Sequence, residues 1–222
     1  MKKTRITALA ALPLSAVLLS GCGQVSAGAA ALVGDDRIGV ATLNGTVREW
    51  KPQINADPQA NAIRDEQRKQ ELLDPSKVSE LDLRMTLNTM VYLKIADRAA
   101  KDNGVEATDG DVSQVVALLN QDPAVNAVSR TLLLGLPTDR VRDMARSKVI
   151  ELKLIERFGA DQNAQSPATQ QAFKRVAKAF TDAAKELKIR LNPRYGVYDP
   201  EKITIDPVVY RLSAFESGVH NP

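Results

Sequence analysis

The stretch Ala31–Ala41, ALVGDDRIGVA, places two short apolar runs on either side of four turn-forming residues. Ala31–Val33 and Ile38–Val40 flank the sequence Gly-Asp-Asp-Arg, a pattern typical of a small β-hairpin. Asp35 and Asp36 could suggest a metal site, but a lone aspartate pair between two strands is ordinary turn chemistry. The stretch therefore predicts a small antiparallel hairpin at the start of the folded domain.

A helical period follows the hairpin directly. Leu43, Val47, Trp50 and Ile54 recur at spacings of four, three and four, which places them on one face of a helix. Pro52 lies inside this pattern and is expected to kink or shorten the helix. Residues 55–71 are polar and charged, and the sequence leaves open an exposed helix or an excursion from the domain.

Further helix signals continue to residue 188 and predict a mainly α-helical fold. A long helix is expected to start at Asp74-Pro75 and to end at Asn103-Gly104. Few aromatic residues (4%) and abundant alanine, leucine, lysine and glutamate also favour helices. Later helix starts are predicted at Thr108 with Asp111 three residues on, at Asp122-Pro123, at Thr138 and at Ser166-Pro167.

Extended character returns at Ile189, and this late segment is expected to complete the hairpin. A two-stranded hairpin alone is marginal in water, so Leu191–Val197 is predicted to pair near Leu32–Val40. Pro193 cannot donate a ladder hydrogen bond, which suits an edge strand. The folded domain is therefore predicted to span residues 31–199. Residues 200–222 show no helical period and are predicted to form a largely irregular tail.

The first 22 residues have the order of an export signal. Three basic residues precede the apolar run at residues 6–19, which is too short to span a bilayer, and small residues follow it. Leu19-Ser20-Gly21-Cys22 resembles the bacterial lipobox. The resemblance implies cleavage after Gly21 and a diacylglyceryl group on Cys22, with residues 22–30 as a short lipidated tether. Two acyl chains suffice for stable anchoring, so we expect the mature protein on the extracytoplasmic face of the cell membrane. The alternative is an ordinary secretory signal with an incidental cysteine.

The charge balance gives little support for a nucleic-acid partner. The chain has 30 basic and 27 acidic residues, and three of the basic residues lie within residues 1–21. The remainder is therefore balanced, whereas phosphate binding requires a basic patch.

Two connecting segments of the chain resemble segments of a known family. The sequence GVEATDGDV lies between two predicted helices, and LNPRYGVYDP follows the last one. With the hairpin, these features resemble the N-terminal chaperone domain of SurA and its PrsA-like relatives over roughly residues 31–199. The resemblance implies a helical chaperone core in which the late extended segment pairs with the starting hairpin.

The chain departs from that family by lacking a prolyl-isomerase module. Full SurA and PrsA proteins carry parvulin domains before the late helix, whereas here only ADQNAQS, residues 160–166, fills the gap. A parvulin site needs paired histidines, and His220 is the one histidine of the chain. Isomerase activity is therefore not expected.

Other catalytic patterns are also missing from the sequence. It has no H-E-x-x-H, Walker loop or dinucleotide glycine motif, and an alkylated Cys22 could not act as a nucleophile. Glu80 and Asp82 point to different sides of a helix and are expected on a solvated face. We therefore expect no enzyme activity, no cofactor and no metal.

Apolar side chains remain as the candidate client-binding surface. Met85 and Met90 are flexible and polarizable, and Trp50 and Tyr92 could line a groove with them; the alternative is that they are core residues.

The first functional hypothesis is a membrane-anchored, non-enzymatic holdase for unfolded or partly folded exported polypeptides. The second is a dedicated envelope lipoprotein that docks one specific partner.

Replacing Cys22 by serine tests the anchor. The variant Cys22→Ser has no thiol to accept the diacylglyceryl group, so we expect it in the soluble fraction and without lipid label. Membrane fractionation and metabolic lipid labelling measure both results. A variant that remains membrane-bound and labelled would contradict the lipobox interpretation.

Overall fold

A three-stranded antiparallel sheet brings together the two ends of the folded domain. The computed structural model describes residues 27–70 and 78–208. Strand β1 (Ala29–Val33) lies at the centre, with β2 (Asp36–Gly39) on one side and β3 (Arg190–Leu191) on the other. The predicted hairpin and its pairing with a late strand are confirmed.

The late strand is shorter than the sequence predicts. Pairing was expected from Leu191 to Val197, but only Arg190 and Leu191 lie opposite β1. The N–H of Asn192 donates to the Ala30 carbonyl (2.9 Å), after which Pro193–Tyr195 forms a 3-10 turn. The strand ends here because Pro193 has no N–H to extend the ladder.

A second, two-stranded sheet corrects the prediction of an irregular tail from residue 200. Strand β4 (Val197–Asp199) pairs antiparallel with β5 (Thr204–Asp206). Ile205 is buried, and its N–H donates to Asn88 Oδ1 (3.1 Å). A three-residue strand is too short for alternation to show in a sequence. Residues 209–222 of the predicted tail lie outside the described residues.

The predicted tether, residues 22–30, is too long at its domain end. Ala29 and Ala30 are fully buried and belong to β1. The tether therefore ends before Ala29, and its residues 22–26 lie outside the described part of the chain.

Seven helices form most of the described structure, so the mainly α-helical fold class is confirmed. Their bounds are α1 (Val40–Ala56), α2 (Pro58–Gln70), α3 (Val78–Asp102), α4 (Asp109–Leu119), α5 (Ala127–Leu133), α6 (Val141–Arg157) and α7 (Pro167–Glu186). All except α2 were predicted at least in part from apolar periodicity or from their starting residues, whereas for α2 the sequence left a helix and an excursion open.

Two predicted helix starts agree with the structure. Thr108 caps α4 in a full capping box, since its hydroxyl accepts from the Asp111 N–H and the Asp111 carboxylate accepts from the Thr108 N–H. Ser166 caps α7 by accepting from the Thr169 N–H, with Pro167 as the first helical residue. These caps satisfy N–H groups that helix starts leave unpaired.

The predicted starts at Asp122-Pro123 and at Thr138 are wrong. α5 begins at Ala127 and is capped by Asn126, while the Asp122 carboxylate accepts from the Ala124 N–H in a preceding turn. Thr138 begins a 3-10 turn, and α6 starts after it. In both cases the residue predicted to cap a helix instead begins a turn that precedes the helix. The sequence pattern of a cap is the same for both structures.

Pro52 does not shorten α1, which continues to Ala56. Pro52 has no N–H to donate to the carbonyl of Arg48. Arg48 and Pro52 are both exposed, so water can bond that carbonyl instead. Within residues 55–71, Asn55 and Ala56 end α1, and Pro58–Gln70 form α2, which packs against α1 and α5, so the segment is a helix and not an excursion as far as Gln70. The predicted start of α3 at Asp74-Pro75 lies outside the described residues.

Helix α3 forms the centre of the core and contacts α1, α6, α7 and β1. Its fully buried side chains on several sides explain this position, and they include Leu87, Val91, Ile95, Ala96 and Ala99. A second buried cluster joins α1, α2 and α5 through Trp50, Ile54, Ala60 and Leu132.

Asp82 is buried, not solvated as the sequence suggested. It is 1% exposed, its Oδ1 accepts from Arg68 Nη2 (2.5 Å), and Lys51 Nζ lies 3.7 Å from its Oδ2. A buried carboxylate requires a cationic partner. The pair therefore fixes the last turn of α2 against α3. Glu80 is exposed as expected.

Truncation tests the role of the late strands. Compared with a chain ending at Val208, ending at Lys188 removes β3 and the buried Tyr195 and Ile205. Each large buried side chain contributes about 1.5–3 kcal/mol, so this loss approaches the whole stability of a domain, and we expect unfolding.

Ending the chain at Asp199 removes only β5 and should lower the thermal midpoint by several degrees. Thermal melts of the three chains measure the order. Identical melting of all three would contradict the closed arrangement.

Candidate functional site

A large, mostly apolar cleft lies between α3, α5 and α6, beside the end of α4. Its volume is about 530 Å³, within the range of ligand pockets in proteins. Most of the lining is apolar, and the charged groups lie at the rim. The lining residues are Tyr92, Leu119, Val125, Arg130, Leu133, Leu134, Met144, Ser147, Lys148 and Glu151.

The wall formed by the end of α5 is fixed by three side chains of α1 and α3. Trp50 Nε1 donates to the Leu132 carbonyl (2.6 Å), Thr89 Oγ1 donates to the Leu134 carbonyl (2.7 Å), and Thr86 Oγ1 donates to the Gly135 carbonyl (2.9 Å). Leu132 lies in the last turn of α5, and Leu134 and Gly135 directly follow the helix; carbonyls at such a helix end have no helical partner, and leaving them buried and unpaired is costly. These donors therefore hold the wall that carries Leu133 and Leu134.

Gly135 allows this wall to approach α3 closely. Its φ is 77°, in the left-handed region. A Cβ at this position would lie 2.8 Å from Thr86 Oγ1 and 3.2 Å from Thr86 Cα. Both the left-handed backbone and the contact with α3 exclude a side chain.

Tyr92 forms the opposite wall. Its ring stacks on Phe180 of α7 with the centroids 5.5 Å apart. Burial, and secondarily the charge of Glu151, raises the pKa of Tyr92 to about 12. The hydroxyl therefore stays protonated at neutral pH and can act as a hydrogen-bond donor.

The rim of the cleft carries charges of both signs in exposed ion pairs. Arg130 bonds Asp122 (2.6 Å), and Lys148 bonds Glu151 (3.0 Å). The N–H of Ala124, followed by the N–H of Val125 and the Arg130 side chain, lowers the pKa of Asp122. Exposed ion pairs contribute little stability, so a ligand could exchange with either partner at small cost.

The four predicted client-binding residues do not line one groove. Trp50 is fully buried, so its assignment to a client surface is wrong, and the core alternative holds. Met85 is half-buried and packs against the Trp50 cluster. Met90 lines a separate cleft of about 220 Å³, and only Tyr92 lines the larger one. Residues two apart on a helix point about 200° apart, which separates Met90 from Tyr92.

The smaller cleft offers less to a ligand. Its volume is less than half that of the larger cleft, and five of its ten lining residues are charged: Lys94, Asp97, Arg140, Asp143 and Arg146.

The sequence analysis missed most of the larger cleft. The run Leu132–Leu136, LLLGL, carries more leucine than one short helix can bury, and this was the available signal. In the structure Leu132 and Leu136 are buried, while Leu134 remains 42% exposed. Cys22 and Gly21 lie outside the described residues.

The described residues contain no cluster of metal-ligating side chains and no helix suited to cross a bilayer. Between residues 27–70 and 78–208, no three histidine, cysteine, aspartate or glutamate side chains are arranged to hold a metal ion. None of the helices in these ranges has the length and apolar content needed to cross a bilayer.

Comparison of the chain with protein family models, with curated proteins and with solved structures found no match.

Substitution of Gly135 tests the anchored wall. Gly135→Ala introduces both left-handed strain and a clash with α3, and we expect it to destabilise the domain by about 2–5 kcal/mol. Gly159→Ala is the matched control, because Gly159 also has a positive φ (87°) but nothing lies within 4 Å of its Cβ position. The control should lose only the strain, about 1–2 kcal/mol. Chemical denaturation measures both, and equal losses would contradict the close approach to α3.

Proposed function

We propose that this protein is a lipoprotein on the extracytoplasmic face of a membrane, where it binds exported polypeptides before they fold. It acts without catalysis, as a holdase. The observation that carries the proposal is the apolar cleft between Tyr92 and Leu134.

The cleft suits an extended apolar segment of an unfolded chain. Leu134 is 42% exposed at its wall, so part of its side chain has no protein contact. Burying that surface against a client is favourable by about 1 kcal/mol for this residue. The mixed charges of Arg130, Lys148 and Glu151 at the rim accept client residues of either sign, which favours a broad range of sequences.

The proposed anchor keeps the cleft near arriving chains. β1 begins at Ala29, seven residues after Cys22, and an extended tether of that length spans at most about 25 Å. A lipid on Cys22 would therefore hold the domain close to the membrane surface that exported chains cross.

The resemblance to the SurA N-terminal domain supports the same function. It implies a late strand paired with the starting hairpin, and β3 pairs with β1 in this way. In the joint GVEATDGDV, Thr108 and Asp111 form the capping box of α4. No parvulin module separates α6 from α7, so prolyl isomerisation is not part of the proposal.

A matched pair of leucine substitutions tests the cleft. Leu134 and Leu152 are 42% and 41% exposed, but only Leu134 lines the cleft. Leu134→Ser should weaken binding of unfolded model proteins about fivefold, and Leu152→Ser should leave it unchanged. Suppression of thermal aggregation, measured for several unrelated clients, gives the comparison.

Three outcomes decide between the hypotheses. Activity on many clients that falls only in Leu134→Ser supports a holdase that uses the cleft. Equal loss in both variants places client binding elsewhere. Activity on no model client, with capture of one envelope protein, favours the dedicated-partner alternative and contradicts the holdase.

A further inference from the structure

Two arginines lie on the outer face of the three-stranded sheet. Leu32 of β1 is directly opposite Arg37 of β2 and Arg190 of β3. Residues opposite each other in neighbouring strands share a face, so these three side chains form one row. Both arginines are exposed and Leu32 is half-buried.

The neighbouring row points the other way, into the core. Ala31 is opposite Ile38 and Leu191, and all three pack in the main apolar cluster. Alternation along the strands therefore assigns the Arg37–Leu32–Arg190 row to the outside.

The outer row belongs to a set of cations without acidic partners. Arg37, Lys188, Arg190 and Arg194 are all exposed, and none forms an ion pair within the described residues. Lys188 and Arg194 lie close to Arg190 in sequence, and we call the outer row with its two arginines, Arg37 and Arg190, the basic face.

The acids nearest to the basic face in sequence are mostly bound elsewhere. Asp36 pairs with Lys94, Glu186 with Arg98, and Asp199 with Lys202. Asp35, in the hairpin turn, is the exception. Residues 22–222 carry 27 basic and 27 acidic residues, so the basic face is a local excess of positive charge on a balanced segment.

The chain leaves the domain beside this face. Arg37 Nη2 donates to the carbonyl of Ala27 (2.9 Å), so the segment before β1 lies next to the row. Ala27 is five residues from Cys22, and five extended residues span at most about 18 Å. A membrane that holds Cys22 is therefore within a short distance of the basic face.

We propose that the basic face binds anionic phospholipid head groups of the membrane to which the chain is tethered. Guanidinium groups bind phosphate oxygens in a bidentate manner, and Arg37 and Arg190 present two of them on one surface. The proposal rests on the lipid anchor of the proposed function, but not on the holdase activity. Binding at a second point fixes the orientation of the domain, because the anchor alone allows rotation about the tether.

A vesicle assay tests the proposal on residues 23–222, which lack the proposed signal and the lipidated cysteine but contain every described element of the fold. Vesicles of mixed phosphatidylglycerol and phosphatidylcholine should co-sediment the protein at low ionic strength, and pure phosphatidylcholine vesicles should not. Each cation near an anionic membrane contributes about fivefold in binding. The double variant Arg37→Gln, Arg190→Gln should therefore bind on the order of 25-fold more weakly.

Two further double variants serve as controls. Arg157→Gln, Arg175→Gln removes the same charge from two exposed arginines that also lack ion pairs, and it should bind like the unmodified chain. Arg37→Lys, Arg190→Lys keeps the charge but loses the bidentate geometry, so its binding should lie between that of the unmodified chain and that of the glutamine double. Thermal melts of all variants check that the Arg37 hydrogen bond is not needed for folding.

Each result has a defined meaning. Equal loss in both glutamine doubles would show only diffuse attraction, and absence of binding to anionic vesicles would contradict the proposal outright. Tighter binding to a DNA duplex, lost in the same variant, would replace lipid by nucleic acid as the ligand. Aggregation suppression by the Arg37 and Arg190 variant should be unchanged, so failure of the basic face and failure of the client cleft are separable.

Discussion

β1 is the strand on which the domain depends, because both of its edges are bonded to segments from opposite ends of the chain. Ala29, Ala30 and Ala31 are fully buried, so their backbone groups require partners within the protein. β2 supplies partners on one side, and β3 with Asn192 supplies them on the other. The Gly34 N–H also donates to the Leu187 carbonyl (2.7 Å), which joins the hairpin turn to the end of α7. The helices pack around α3 within this frame.

The candidate cleft depends on the same principle, applied to the end of a short helix. A seven-residue helix such as α5 is marginal by itself. Trp50, Thr86 and Thr89 donate hydrogen bonds to carbonyls in its last turn and in the two residues that follow. These three hydrogen bonds keep the apolar wall in place. A wall fixed in this way presents the partly exposed Leu134 without prior reorganisation of the protein, which the proposed client binding would require.

Local signals in the sequence predicted local structure well. The hairpin turn, the Thr108 capping box and the Ser166 cap depend on neighbouring residues, and all three were identified. Contacts between distant segments were harder to predict. The helical period that includes Trp50 was identified correctly, but the burial of Trp50 depends on Leu132, which is 82 residues away. Asp82 was misassigned for the same reason, since Arg68 reaches it only because α2 packs back against α3. The cleft is formed by four separate helices, and the only feature of the sequence that pointed to it was the leucine-rich run at Leu132–Leu136.

The pairing of β1 with β3 has a consequence for the order of events during synthesis. Asn192 and Ala29 contact each other although 163 residues separate them. Such non-local contacts form late, since the intervening chain must first be available. The central strand therefore lacks one of its partners until nearly the whole domain has emerged. Until then one edge of β1 is unpaired, and an unpaired strand edge can bond to another extended chain, so a pause in synthesis before Arg190 would favour aggregation.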